Sequence, residues 1–257
     1  MVIISPARRK KNMSFDRTSN PAFKDEYFRA TAAAGNVMTV QGTINKIAFL
    51  MLLVITAGSF TWKMVYEQVA SVQSLMYLGI FGGLITALIT IFSPKNARFT
   101  APIYAVFEGL TLGGISALFQ MAYQGIVLNA IMLTLATLFG MLFLYRTGII
   151  QPTERFRAGV LSATMGVCFA YLFSFILSMF GLSTPIHSTG VVGIIISLVV
   201  VAIAALNLIL DFDMIYKGAQ SGAPQHMEWY GAFGLLVTLV WLYLELLRLL
   251  AAFQSRD

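Results

Sequence analysis

Seven apolar stretches, each long enough to cross a bilayer, occupy the chain from about Lys46 to Phe253. A membrane-spanning helix needs about 20 apolar residues. Hydrocarbon offers no water to an open backbone, so each span must satisfy its peptide groups internally as a helix. The sequence therefore predicts an all-α integral membrane protein, a bundle of seven transmembrane helices. The expected spans are 44–65, 73–92, 101–123, 125–145, 158–181, 191–215 and 231–253. Breakers divide them: Ser93-Pro94-Lys95-Asn96, Gly148 with Pro152, Thr184-Pro185, and Gly218 through Pro224. The tightest junction is Tyr123-Gln124-Gly125, where two spans meet almost without a linker.

Composition excludes several classes. The chain is 58% hydrophobic and 11% charged, with a mean hydropathy of +0.79, whereas about a quarter of a soluble domain is charged. The single Cys168 rules out an internal disulfide and any multi-cysteine metal site. Residues 1–43 read as a largely flexible, cytoplasmic polar arm without a secretory signal. Residues 44–257 form the seven-helix domain. Arg8-Arg9-Lys10-Lys11 either contacts anionic headgroups, at about 1 kcal/mol per basic residue, or only fixes topology; a start at Met13 removes it.

The net charge of +6 does not point to nucleic acid, because the distribution of basic residues explains it. Fourteen Lys and Arg lie in the arm and in the connections after the second, fourth and sixth spans; three lie on the other side. The positive-inside rule then places the N-terminus in the cytoplasm and the C-terminus outside, in an inner (plasma) membrane.

An ionisable side chain in hydrocarbon is costly and marks a candidate site. Four acids fall within or beside spans: Glu108, Asp211, Asp213 and Glu245. At 1.5 Å per helical residue, Glu108 lies roughly 10 Å from the cytoplasmic end, Asp211 about 6 Å and Glu245 roughly 20 Å. Asp213 is expected to reach water, and Glu67, Glu154 and Glu228 to be solvated loop charges. Asn207 shares a helix face with Asp211, Thr111 follows Glu108 by three residues, and Thr238 falls near the level of Glu108. Such oxygens between the third, sixth and seventh spans suit a hard cation such as Ca²⁺, with Asp211 and Glu108 as the pair. Two close carboxylates share a proton, which makes such a pair pH-sensitive. Glu245 reads more simply as a partner of Arg248, three residues on. The bland reading is that each acid is singly hydrogen-bonded to a neighbouring helix. Gly79-x-x-x-Gly83 and Gly109-x-x-x-Gly113 have the spacing of close helix approach.

Enzyme readings lack their residues, and the chain is expected not to be an enzyme and to carry no cofactor. His187 and His226 lie on opposite sides of the membrane, whereas zinc needs three or four ligands. Gly113-Gly114-Ile115-Ser116 is followed by alanine where a rhomboid-type serine loop has glycine, and no membrane histidine serves as base. No Gly-x-Gly-Asp motif accompanies Asp211.

The segment from Leu206 to Ile215, with Asp211 at its centre, resembles the sixth-helix signature of the Bax inhibitor-1 family. The run from Leu242 to Leu250 resembles its seventh-helix ending. Asn20-Pro21-Ala22-Phe23, the stretches 38–43 and 104–109, and Glu228-Trp229-Tyr230-Gly231-Ala232-Phe233 resemble its bacterial branch. The resemblance implies a central sixth helix wrapped by the others and a pH-sensitive calcium leak gated by paired aspartates in helices six and seven. Asp211 matches the first of the pair. The second position falls at about Thr238, which is not an acid, so either Glu108 supplies the missing carboxylate or this branch gates differently. Two alternatives stand beside the channel: a modulator that restrains a membrane-bound protease through the arm, and a proton-coupled transporter of a small solute. Lipid is the one partner common to all three.

Overall fold

A computed structural model describes residues 37–182 and 190–255. Within them lie seven helices: α1 (Val40–Tyr66), α2 (Val72–Phe92), α3 (Ala97–Ala122), α4 (Ile126–Arg146), α5 (Glu154–Met179), α6 (Val191–Gln220) and α7 (Met227–Gln254). All seven are long and apolar enough to cross a membrane. Several run a few residues past the expected spans, because helical hydrogen bonding continues into polar residues where hydropathy has ended. Residues 1–36 of the arm, with Arg8-Arg9-Lys10-Lys11 and Asn20-Pro21-Ala22-Phe23, the 183–189 segment with His187, and the last two residues lie outside the described residues.

Local chemistry sets the ends. Thr39 caps α1, accepting the N–H of Gly42 at 2.9 Å, and Thr153 caps α5, accepting that of Phe156 at 3.2 Å; both are favoured N-cap residues. The abrupt α3–α4 junction is a real turn. Tyr123 is extended and Gly125 adopts φ 81°, a left-handed conformation that glycine enters without steric cost. A 3-10 turn, Pro94–Asn96, joins α2 to α3.

Lipid tails are as apolar as the side chains, so close packing rather than area burial must hold the bundle together. The two glycine motifs supply it. A methyl group on Gly113 of α3 would lie 2.1 Å from the Gly58 carbonyl oxygen of α1. One on Gly79 of α2 would lie 2.7 Å from the Phe107 carbonyl oxygen of α3. Small residues therefore let α1, α2 and α3 pack backbone to backbone.

The resemblance places α6 at the centre, but the most enclosed helix is α7. Of its most apolar stretch 67% is buried, against 39% in α6. Helix α7 touches α1, α3, α4 and α6, and Leu242 and Leu247 are fully enclosed. Helix α6 shares the core through Leu208, Phe212 and Ile215. Helix α5 is the least covered, with 11% of its span buried, and packs chiefly on α6.

Candidate functional site

Asp211 lies on α6, facing Thr238 of α7, which is its hydrogen-bonding neighbour. The Thr238 hydroxyl also lies 3.3 Å from the carbonyl oxygen of Gly234, one turn back. The second carboxylate oxygen of Asp211, Oδ2, is enclosed and has no hydrogen-bond partner. Removed from water, such an oxygen carries a large penalty that only a proton, a donor or a cation relieves. Thr238, near where the resemblance would put a second aspartate, offers a hydroxyl beside Asp211.

Glu108 does not complete the pair. Its Oε2 lies against Gly83 of α2, where an added methyl group would come within 3.4 Å. Its hydrogen-bonding neighbour is Tyr104, one turn back on α3. Helix α3 packs on α1, α2 and α7 and has no substantial contact with α6. Compatible depth is therefore insufficient, because the two acids face different interfaces. No group of three Asp, Glu, His or Cys converges among the described residues. A divalent ion at Asp211 would take its remaining ligands from hydroxyl, carbonyl or water oxygens.

Two acids expected in water are buried. Asp213 is 4% exposed; it pairs with Arg157 of α5 and with Lys217 at 3.0 Å, one turn on. Glu228 is 2% exposed. It accepts the backbone N–H of Thr39 at 2.8 Å and its hydroxyl at 2.9 Å, and pairs with Lys46. This ties the start of α1 to the start of α7, so the stretches 38–43 and 228–233 meet. Met38 N–H adds a bond to the Ala223 carbonyl at 2.7 Å.

Glu245 is 3% exposed. Its Oε1 accepts the Tyr171 hydroxyl at 2.7 Å and lies 3.7 Å from Arg248; Arg248 donates to the same tyrosine oxygen at 2.7 Å. The expected Arg248 partner is present, yet Oε2 of Glu245 is enclosed and unpartnered. Asn207 turns its amide to Thr164 of α5 at 2.8 Å and to the Ile203 carbonyl at 2.9 Å, rather than to Asp211.

These contacts reveal a pattern that acid-centred reading missed. Arg157, Thr164 and Tyr171 recur every seven residues along α5, which puts them on one helix face. They meet Asp213, Asn207 and Glu245 in turn. On α7, Glu245 follows Thr238 by seven residues, about 10 Å along the same face. A polar stripe thus runs along the junction of α5, α6 and α7, and the two orphaned carboxylate oxygens belong to the helices it joins. The signal was present in sequence as three polar residues at heptad spacing in an apolar helix.

Two cavities flank the bundle. One, of about 290 Å³, is almost wholly apolar and lies between α1, α3, α4 and α7. The other, of about 900 Å³, lies where α1, α4 and α6 end on the side of the Pro94 turn. His226, in the connection before α7, is held below its ordinary value of 6.5 by burial and by the nearby Lys95 charge.

Fold and composition define a polytopic membrane protein with acids retained in its spans. A family model described as Bax inhibitor 1 like matches residues 20–255, nearly the whole chain, and the chain belongs to that family. No curated protein and no solved structure matches it.

Proposed function

We propose that this chain is a pH-sensitive calcium leak of the inner membrane, controlled by protonation of Asp211. The observation that carries the reading is the enclosed, unpartnered Oδ2 of Asp211 beside Thr238. A hard cation prefers carboxylate, hydroxyl and carbonyl oxygens, and a proton on Asp211 competes with it for the same oxygen. Family membership supports the reading, since calcium leak is a role known in that family. Control then rests on one acid and a hydroxyl rather than on two acids. In this reading the chain is no enzyme, calcium is cargo, and the N-terminus is cytoplasmic.

The test is calcium flux from proteoliposomes across roughly pH 5 to 8. Asp211→Asn should flatten the pH profile and Glu108→Gln should leave it intact. An unchanged profile in Asp211→Asn removes Asp211 from the gate.

A second reading, restraint of a membrane-bound protease, is favoured by the tie at the start of α1. Val37 pairs with Pro224, and Thr39 with Glu228, which anchors the arm at a fixed point of the bundle. Deleting residues 1–30 discriminates: a leak keeps its flux, whereas a protease modulator loses its partner.

A further inference from the structure

We propose that the cavity of about 900 Å³ between α1, α4 and α6 is a binding site for one anionic phospholipid. This inference is independent of the leak. The cavity lining is apolar at depth except for Asp213, whose charge is met there by Arg157 and Lys217. Leu138, Phe139, Phe212 and Leu235 lie seven or eight residues inside their helix ends, roughly 10 to 12 Å into the membrane. Arg146, Lys217, Gln151 and Thr153 lie at the rim. An acyl chain fits the first set and a phosphate the second.

The charge favours an anion. Arg146 takes part in no ion pair among the described residues. Lys217 shares the single carboxylate of Asp213 with Arg157, and Arg157's other acid, Glu154, is exposed at 3.7 Å. The rim therefore carries more positive than negative charge, with the capped N-terminus of α5 beside it, an end that itself favours anions. Basic pockets between membrane helices bind anionic headgroups. Helices α1 and α4 make no substantial contact with each other, so the cavity adjoins lipid at that seam. A free phosphate would satisfy the rim and leave the apolar depth empty, which is why a lipid is the occupant.

The experiment is native mass spectrometry of the detergent-purified full chain, titrated with phosphatidylglycerol or chain-matched phosphatidylcholine. One phosphatidylglycerol should be retained in preference to phosphatidylcholine. Arg146→Gln, at an exposed and unpaired position, should weaken that retention about fivefold, the worth of one basic residue at a membrane surface. Lys63→Gln, at the opposite end of the bundle, should leave it unchanged. Equal retention of the two lipids overturns the proposal. So does wild-type retention in Arg146→Gln, or an equal loss in Lys63→Gln. Displacement by millimolar inorganic phosphate would mark a free-anion site and overturn the lipid assignment.

Discussion

Tyr171 of α5 donates its hydroxyl hydrogen to Glu245 of α7 across 2.7 Å, inside the membrane, while accepting one from Arg248. Helix α5 is the least covered of the seven, and this contact joins two others at heptad spacing in tying it to the bundle, Thr164 to Asn207 and Arg157 to Asp213. Tyr171→Phe keeps the ring and deletes the hydroxyl. It should cost about 1 to 3 kcal/mol, the penalty of stranding a buried polar partner. A double-mutant cycle with Glu245→Gln in detergent unfolding checks it. Additive effects would mean that the two groups are not coupled.

Glu228 predicts a larger loss. Removing its charge leaves Lys46, only 18% exposed, without its counter-ion, and breaking a buried pair costs about 3 to 5 kcal/mol. Partial exposure of Lys46 puts Glu228→Gln toward the lower end. Trp229 reports the event, because Lys46 lies 5.4 Å from its ring. Gly42→Ala should produce the same phenotype from the opposite side, since the added methyl group would meet Glu228 Oε1 at 2.2 Å.

Glycines of equal helix propensity should respond in opposite directions. Gly113→Ala forces α1 and α3 apart and should destabilise by about 2 kcal/mol, as overpacking does. Gly166→Ala, with nothing within 4 Å of the new methyl group, should stabilise α5 by up to about 1 kcal/mol. Thermal unfolding of the two variants side by side decides the point.

His226 gives a signed pH effect. Its folded-state value lies below the ordinary 6.5, so the unfolded chain binds the proton more readily. Its contribution is complete above 6.5 and is lost as the pH falls below it. His226→Gln should flatten that part of the stability profile, measured by unfolding between about pH 5 and 8. Lys95→Gln should move the His226 resonance toward higher pH by NMR titration.

The positive-inside bias predicts which ends face the cytoplasm. In a Cys168→Ser background, cysteines at Lys95 and Arg146 should react with an impermeant maleimide only after membranes are opened, whereas one at Lys63 should react in intact cells. The reverse pattern would invert the assignment.

The seven helices and their order were legible because hydrocarbon imposes one rule on every segment alike: a long apolar run must become a helix. The Tyr123–Gly125 turn and the two glycine contacts were legible for similarly local reasons. Partnership was not. Depth can be counted along a helix, but rotation about its axis and the choice of neighbour are set by how all seven pack. That is why Glu108 faces Gly83 instead of Asp211, why Asp213 and Glu228 lie buried with cations instead of in water, and why α7 rather than α6 is the most enclosed helix. The sequence by itself determined which residues the membrane must accommodate. Only the tertiary structure decided which of them meet, because an ion pair or a hydrogen bond acts over about 3 Å, a precision that spacing along one helix does not carry to the next.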